Sequence, residues 1–178
     1  MIRRHSRPRR HFWRNNRGAT AVEFSLLALP LIMLIFASMQ TALLFFYDQA
    51  LQTGAQKSAR QLLTGSVQLG GLTQAQFKTV VCANLPSQFQ CSNVMVDVQS
   101  ASSFQATNTS SLTPTYDIHN SVTNVWNYTP GNPGDIVIMR VMYDWPVLGG
   151  PLAVGLANQP NNTHLMVATT VFKNEPYQ

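Results

Sequence analysis

Phe24 to Phe46 is a run of 23 residues without a charge, and seven of the chain's 12 Lys and Arg residues lie before it. At about 1.5 Å per residue a helix of that length spans roughly 35 Å, enough to cross the hydrocarbon of a bilayer with some tilt. A cleaved secretory signal has an apolar stretch of only about 7 to 15 residues and a small-x-small site, so this longer run is expected to be retained. Arg3, Arg4, Arg7, Arg9, Arg10, Arg14 and Arg17 are expected to stay in the cytoplasm. That orientation places the remaining residues, about 130 of them, beyond the membrane.

The same charge distribution limits the partners. The formal net charge is +5, but the residues after Arg17 carry five Lys and Arg against all seven Asp and Glu. The basic balance therefore belongs to the tail, and a basic nucleic-acid face on the folded part is not expected. A soluble DNA-binding protein with a basic arm is opposed by the uncharged run itself. With 45% hydrophobic and 11% charged residues, the chain must hide apolar surface somewhere.

The sequence has no GxxxxGK[ST], HExxH or GxSxG motif and no cysteines at metal spacing, so neither catalysis nor a metal or cofactor is expected. His5 and His11 sit in the arginine tail. His119 and His164 border a loop and a strand, where a solvated or core imidazole is the expectation.

One carboxylate is out of place. Arg17 to Phe24 reads RGATAVEF, which sets Glu23 at the entrance of the apolar helix. Burying a charged side chain in lipid costs roughly 2.5 to 3.5 kcal/mol on insertion scales, so Glu23 should stay near the interface or gain a positive partner. A cut between Gly18 and Ala19 creates one, a new α-amino group at Ala19. In a bundle of parallel helices one subunit's amine can meet a neighbour's carboxylate, which makes Glu23 a registry device.

These residues resemble type IV prepilins, whose processing site is a glycine followed, at the fifth position after the cut, by glutamate and then an aromatic residue. Gly18, Glu23 and Phe24 match that arrangement. Within the superfamily the closer resemblance is to TadE-like proteins of tight-adherence (Flp) pilus systems. These open with a run like RGATAVEF, continue in leucine-rich apolar sequence with an early proline, here Pro30, and end in a stretch like VFKNEPY, Val171 to Tyr177. Phe24 stands where major Flp pilins favour Tyr, and Ser58 where the family commonly has glycine. The resemblance implies a minor pseudopilin without catalytic activity, cleaved after Gly18 by a membrane aspartyl prepilin peptidase. It also implies assembly with other pseudopilins, the major Flp pilin and the pilus assembly platform.

Past Phe46 the helical period persists while polarity rises. Tyr47, Leu51, Gly54, Ala55, Ser58 and Leu62 fall on one face, with Asp48, Gln52, Gln56 and Arg60 on the other. Gly65 is the expected stop. Thr73 and Gln76 form a capping box, with Leu72 and Phe77 as a hydrophobic staple, for a second helix running to about Leu85. Cys82 and Cys91 suit neither a CxxC pair nor a zinc knuckle, and in an oxidising compartment they are expected to form a structural disulfide.

Three strands are legible. Val94, Val96 and Val98 alternate with Met95, Asp97 and Gln99 as a half-buried strand. Ile136 to Tyr143 is apolar on both faces apart from Arg140 and reads as central, and Leu165 to Lys173 is the third. Residues 100–134 contain 17 Ser, Thr or Asn among 35, broken by Phe104, Tyr116, Trp126 and Tyr128, which are expected to pin a long loop to its own sheet. Val122 to Tyr128 is a possible fourth strand.

The expected architecture is α+β and pilin-like. A basic cytoplasmic leader (1–18) precedes a long helix (19–65) containing a transmembrane segment (24–46). A small periplasmic domain (66–178) then carries a second helix and an antiparallel sheet of three to four strands. The expected location is the bacterial inner membrane, single-pass, with no nucleic-acid partner. The rival reading is an uncleaved, single-pass anchored periplasmic binding or sensor module, in which Glu23 is incidental.

Overall fold

In the computed structural model, which describes residues 18–106, 112–119, 122–147, 155–159 and 161–176, the apolar run and the amphipathic stretch after it form one α-helix. This helix, α1, is Ala19–Leu63 and contains 45 residues. It continues through Pro30, although proline has no N–H to donate to the carbonyl of Leu26. Two compact units result, one ending at Gln40 and the other beginning at Thr41.

In the second unit the 3.6-residue period sets one stripe of α1 inward. Leu51, Ala55, Ser58 and Leu62 are fully buried, whereas Asp48, Gln56 and Arg60 are exposed. Gly54 permits a close approach, because a side chain there would sit 2.5 Å from Leu85 Cδ2 and 3.0 Å from the Asn84 carbonyl. Ser58 uses the same contact. Its hydroxyl donates to the Gly54 carbonyl at 2.9 Å and accepts from Asn84 Nδ2 at 3.1 Å, a bond that glycine at this position would lack.

Helix α1 stops at Leu63 because Gly65 takes a left-handed conformation, φ 75°, after Gly65 N–H has bonded the Leu62 carbonyl. A single turn, α2 (Ser66–Leu69), leads to α3 (Gln74–Ala83). The capping box at Thr73 and Gln76 is formed in both directions. Phe77 and Val81 are buried, and Leu72 packs half-buried against the core. Asn84 caps α3, slightly before the expected end at Leu85.

The sheet has the order β1-β2-β3, antiparallel throughout, with β1 at Val94–Ala101, β2 at Ile136–Pro146 and β3 at Thr163–Lys173. The apolar strand β2 is central, as its composition requires. Val96, Val141 and Ala168 share one row and join α1 and α3 in the core. Burying each large aliphatic side chain there contributes about 1.5 to 3 kcal/mol. Tyr47 of α1 stacks on Trp145 of β2 with ring centroids 4.0 Å apart, and Phe89 closes on both edge-on.

Two expectations are corrected. Strand β1 is not half-buried, since Met95 and Asp97 on its second face are as buried as the valines. The β1–β2 connection supplies bonds to that face: Asn127 N–H donates to Asp97 Oδ1 at 3.0 Å, and the Tyr116 hydroxyl to Asp144 Oδ2 at 2.8 Å. Val122 to Tyr128 forms no strand. It makes isolated bridges, Tyr128 to Val98 and Val122 to Tyr116, because its residues bond side chains and single strand positions instead of a continuous ladder. Tyr128 does pin the connection, lying against Phe77 and donating to the Leu72 carbonyl at 3.0 Å. Phe104 is 67% exposed.

The C-terminal motif acquires a role. Asn174 is buried and donates from Nδ2 to the carbonyls of Pro130 and Asn132, while Glu175 N–H donates to the Leu63 carbonyl at 2.9 Å. That last bond satisfies a carbonyl left open at the end of α1. Tyr177 lies outside the described residues.

Candidate membrane and assembly helix

The first unit presents a broad, exposed apolar surface among the described residues. Phe24 and Leu27 are each 74% exposed, and exposure continues through Leu31, Ile35 and Met39. Side chains of this kind are exposed in a contiguous belt only where lipid or another chain covers them. The hydroxyls in the belt already have partners inside the helix: Ser25 donates to the Val22 carbonyl at 2.8 Å and Ser38 to that of Ile35 at 2.9 Å. Such back-bonding leaves no hydroxyl proton unsatisfied in an apolar medium. Length and composition make this helix able to span a membrane. Beyond the belt, Leu44 of α1 is buried in the core of the second unit, although Phe45 and Phe46 beside it are exposed.

At the entrance, Gly18 precedes the first residue of α1 and Ala19 begins it. A Cβ at Gly18 would meet nothing within 4 Å, so no neighbour among the described residues requires a glycine there. Glu23 lies one helical turn from Ala19. It is exposed and makes no hydrogen bond or ion pair among the described residues. Phe24 follows it, also exposed. The helix thus brings Gly18, Ala19, Glu23 and Phe24 within about two turns, one end of an uncovered apolar belt. Arginines 3 to 17, with His5 and His11, lie outside the described residues.

Cys82, at the end of α3, is bonded to Cys91 in the short 3-10 turn Cys91–Asn93, with their Cα atoms 5.6 Å apart. The bridge ties α3 to the start of β1. No group of three or more His, Cys, Asp or Glu able to hold a metal occurs among the described residues. His164 bonds the Leu156 carbonyl through Nδ1, at 2.6 Å, and His119 is exposed.

Sequence reasoning missed the polar contacts of the sheet domain. Asp97 and Arg140 are paired and buried, and the signal was that Asp97 is the one charge of β1 and Arg140 the one charge of the apolar run Ile136 to Tyr143. Burial pushes the Asp144 carboxyl above its ordinary range, an effect opposed by the bond from Tyr116. For Tyr116, burial comes first, and then the bond to Asp144 and its charge; all three raise the phenol. Burial also raises Tyr128 and lowers Lys78, whose ammonium donates to the Ser92 carbonyl.

Residues 18–60 match the family model described as TadE-like protein, a span that holds the entrance, the apolar belt and the first turns packed on the sheet. No curated protein and no solved structure matches the chain.

Proposed function

From the TadE-like match across the first helix, which points to involvement in a Tad pilus system, we propose that this chain is a minor pseudopilin contributing to biogenesis of a tight-adherence (Flp) pilus. The observation that carries the reading is the uncovered belt from Val22 to Met39 with Glu23 at its entrance. In a bilayer, lipid covers the belt. In an assembly, the same side chains pack against the helices of other pseudopilins and the major pilin.

A prepilin peptidase removes residues 1 to 18 in this reading, and the Ala19 amine then pairs with a neighbour's Glu23. Low dielectric makes that attraction stronger than it is in water. The arginines hold the N-terminus in the cytoplasm before cleavage, and the sheet domain stands in the periplasm on the assembly platform. Catalysis has no part in this role: the mechanism is helix packing set in register by one charge pair.

N-terminal sequencing of the protein recovered from membranes of cells carrying the matching prepilin peptidase tests the reading. Ala19 is the expected first residue. Met1 or Ile2 as the sole N-terminus overturns it in favour of an uncleaved anchored binding or sensor module. A C-terminal reporter active only outside the cytoplasm checks the orientation and is expected to be active.

A further inference from the structure

The chain treats the two edges of its sheet differently. Along β1 its own segment closes the edge: Val98 N–H donates to the Asn127 carbonyl at 2.9 Å, Thr129 N–H donates to the Val98 carbonyl at 2.8 Å, and Tyr128 bridges to Val98 in parallel. Along β3 the odd-numbered residues turn their backbone groups away from β2, as their partners show. The Thr163 carbonyl accepts from the N–H groups of Asn158 and Gln159, and Leu165 N–H donates to Asn158 Oδ1 at 2.7 Å. At the other end Glu175 N–H meets the Leu63 carbonyl.

Between these two clamps the outward edge is open. The N–H and C=O of Val167 and Val171 and the N–H of Thr169 have no partner among the described residues. The Thr169 carbonyl accepts a single bond, from the side-chain amide of Gln52 at 3.3 Å on the exposed surface. Val167 is 42% and Val171 50% exposed, with Thr169 exposed between them. Natural sheets blunt an open edge with charge, proline, a bulge or a cover. This stretch has an unbroken register and no proline, and its first charge is Lys173.

We propose that the β3 edge receives an extended, uncharged segment of another protein chain as a fourth strand, with aliphatic or β-branched side chains at alternate positions beside Val167 and Val171. The outward groups recur every second residue, about 6.8 Å apart, a spacing that only an extended backbone reproduces with both donors and acceptors. A helix satisfies its own backbone groups, and a lipid surface offers no such row. The clamps limit the added strand to roughly five to seven residues, an ordinary strand length. Gln52 holds one acceptor of the empty edge, and its exposed amide swings aside when a strand arrives.

Amide hydrogen exchange of the full-length protein, resolved to single residues by electron-transfer fragmentation, tests the proposal in two settings: native membranes, and detergent micelles holding the purified chain. Val167, Thr169 and Val171 should exchange at least tenfold more slowly in native membranes, with Met166, Ala168 and Thr170 slow in both. Val171→Pro removes one outward N–H and leaves the bonds to β2 in place, so it should restore fast exchange at Val167 and Thr169 without loss of the folded domain. Should that variant fail to fold, Val171→Lys places a charge on the same edge and is expected to act alike. Equal exchange in the two settings overturns the proposal, as does protection that survives both variants. Protection that appears in micelles and grows with protein concentration also overturns it, since a second copy is then the occupant.

Discussion

Asp97 on β1 and Arg140 on β2 face one another in register, Arg140 Nη1 donating to Asp97 Oδ2 at 3.3 Å with both side chains almost wholly buried. The carboxylate accepts two further bonds: Gln99 Nε2 donates to the same oxygen at 2.9 Å, and Asn127 N–H donates to the other. One buried ion pair therefore joins two strands and the polar connection that covers them. Removing one member of a buried ion pair typically costs about 3 to 5 kcal/mol, whereas replacing both with apolar groups is often nearly neutral. Asp97→Ala should lower unfolding stability by that amount. The double variant Asp97→Leu, Arg140→Met should lie well above the sum of the single changes in a denaturant titration.

The Cys82–Cys91 bridge closes a short loop, and on the chain-entropy model it contributes roughly 2.5 to 3 kcal/mol. Mass analysis of the native protein should show the oxidised form, two protons lighter than the reduced one. Replacing both cysteines by Ser should lower the denaturation midpoint accordingly. Ready alkylation of both thiols without prior reduction would count against the bridge.

Asn174 gathers the C-terminal motif, donating to Pro130 and Asn132 while its N–H bonds the Asp135 carbonyl. Asn174→Ala removes both side-chain bonds and leaves two carbonyls without that donor, at an expected cost of about 1 to 3 kcal/mol. Hydrogen exchange at Glu175, whose N–H holds the Leu63 carbonyl, should quicken at the same time. An unchanged melting curve would show that the motif is not what fastens the C-terminus to α1.

Asp144 and Tyr116 set a pH dependence whose sign follows from burial. The carboxyl of Asp144 is raised in the fold above its ordinary 3.8, so the folded state holds this proton more tightly than the unfolded chain does. For this group stability is greatest below that value and falls as pH rises through the folded-state pKa. Asp144→Asn should remove that decline, seen as the difference between variant and natural protein in unfolding curves taken from pH 3.5 to 7. Because the Tyr116 bond is the one influence lowering the carboxyl, Tyr116→Phe should move its NMR titration midpoint further up, and a downward movement would contradict the assignment.

Gly18 and Glu23 separate under substitution. Gly18→Val meets no neighbour among the described residues, so helix content and melting should stay unchanged while the precursor keeps its arginine tail. Glu23→Ala leaves the scissile bond in place, so processing should continue while recovery of the subunit in assembled complexes declines. Normal cleavage of the valine variant, read by mass, would move the processing site elsewhere.

Much of this protein was determined by sequence alone, wherever the signal is local and periodic. An uncharged run of 23 residues fixes a helix long enough to span a bilayer, because its length is set by rise per residue and by nothing elsewhere in the chain. The capping box at Thr73, the stop at Gly65 and the inward stripe of Leu51, Ala55, Ser58 and Leu62 are local for the same reason. The entrance is local too: Ala19, Glu23 and Phe24 lie on the first turns of one helix and Gly18 directly precedes it, so reading them in order already placed the four together.

Tertiary structure decided what depends on partners distant in sequence. Alternation in β1 predicts one wet face, yet Asp97 is dry because Arg140, 43 positions away, neutralises it and Asn127 reaches over from the connection. Polar composition in residues 100–134 showed that this connection forms little core of its own, but not that single bonds from Tyr116 and Asn127 reach the second face of the sheet. Which edge of the sheet stays open was likewise undetermined, since hydrogen bonding at an edge depends on whether another part of the chain arrives there. Asn127 to Thr129 arrive at β1, and at β3, among the described residues, only Gln52 reaches the stretch between Val167 and Val171.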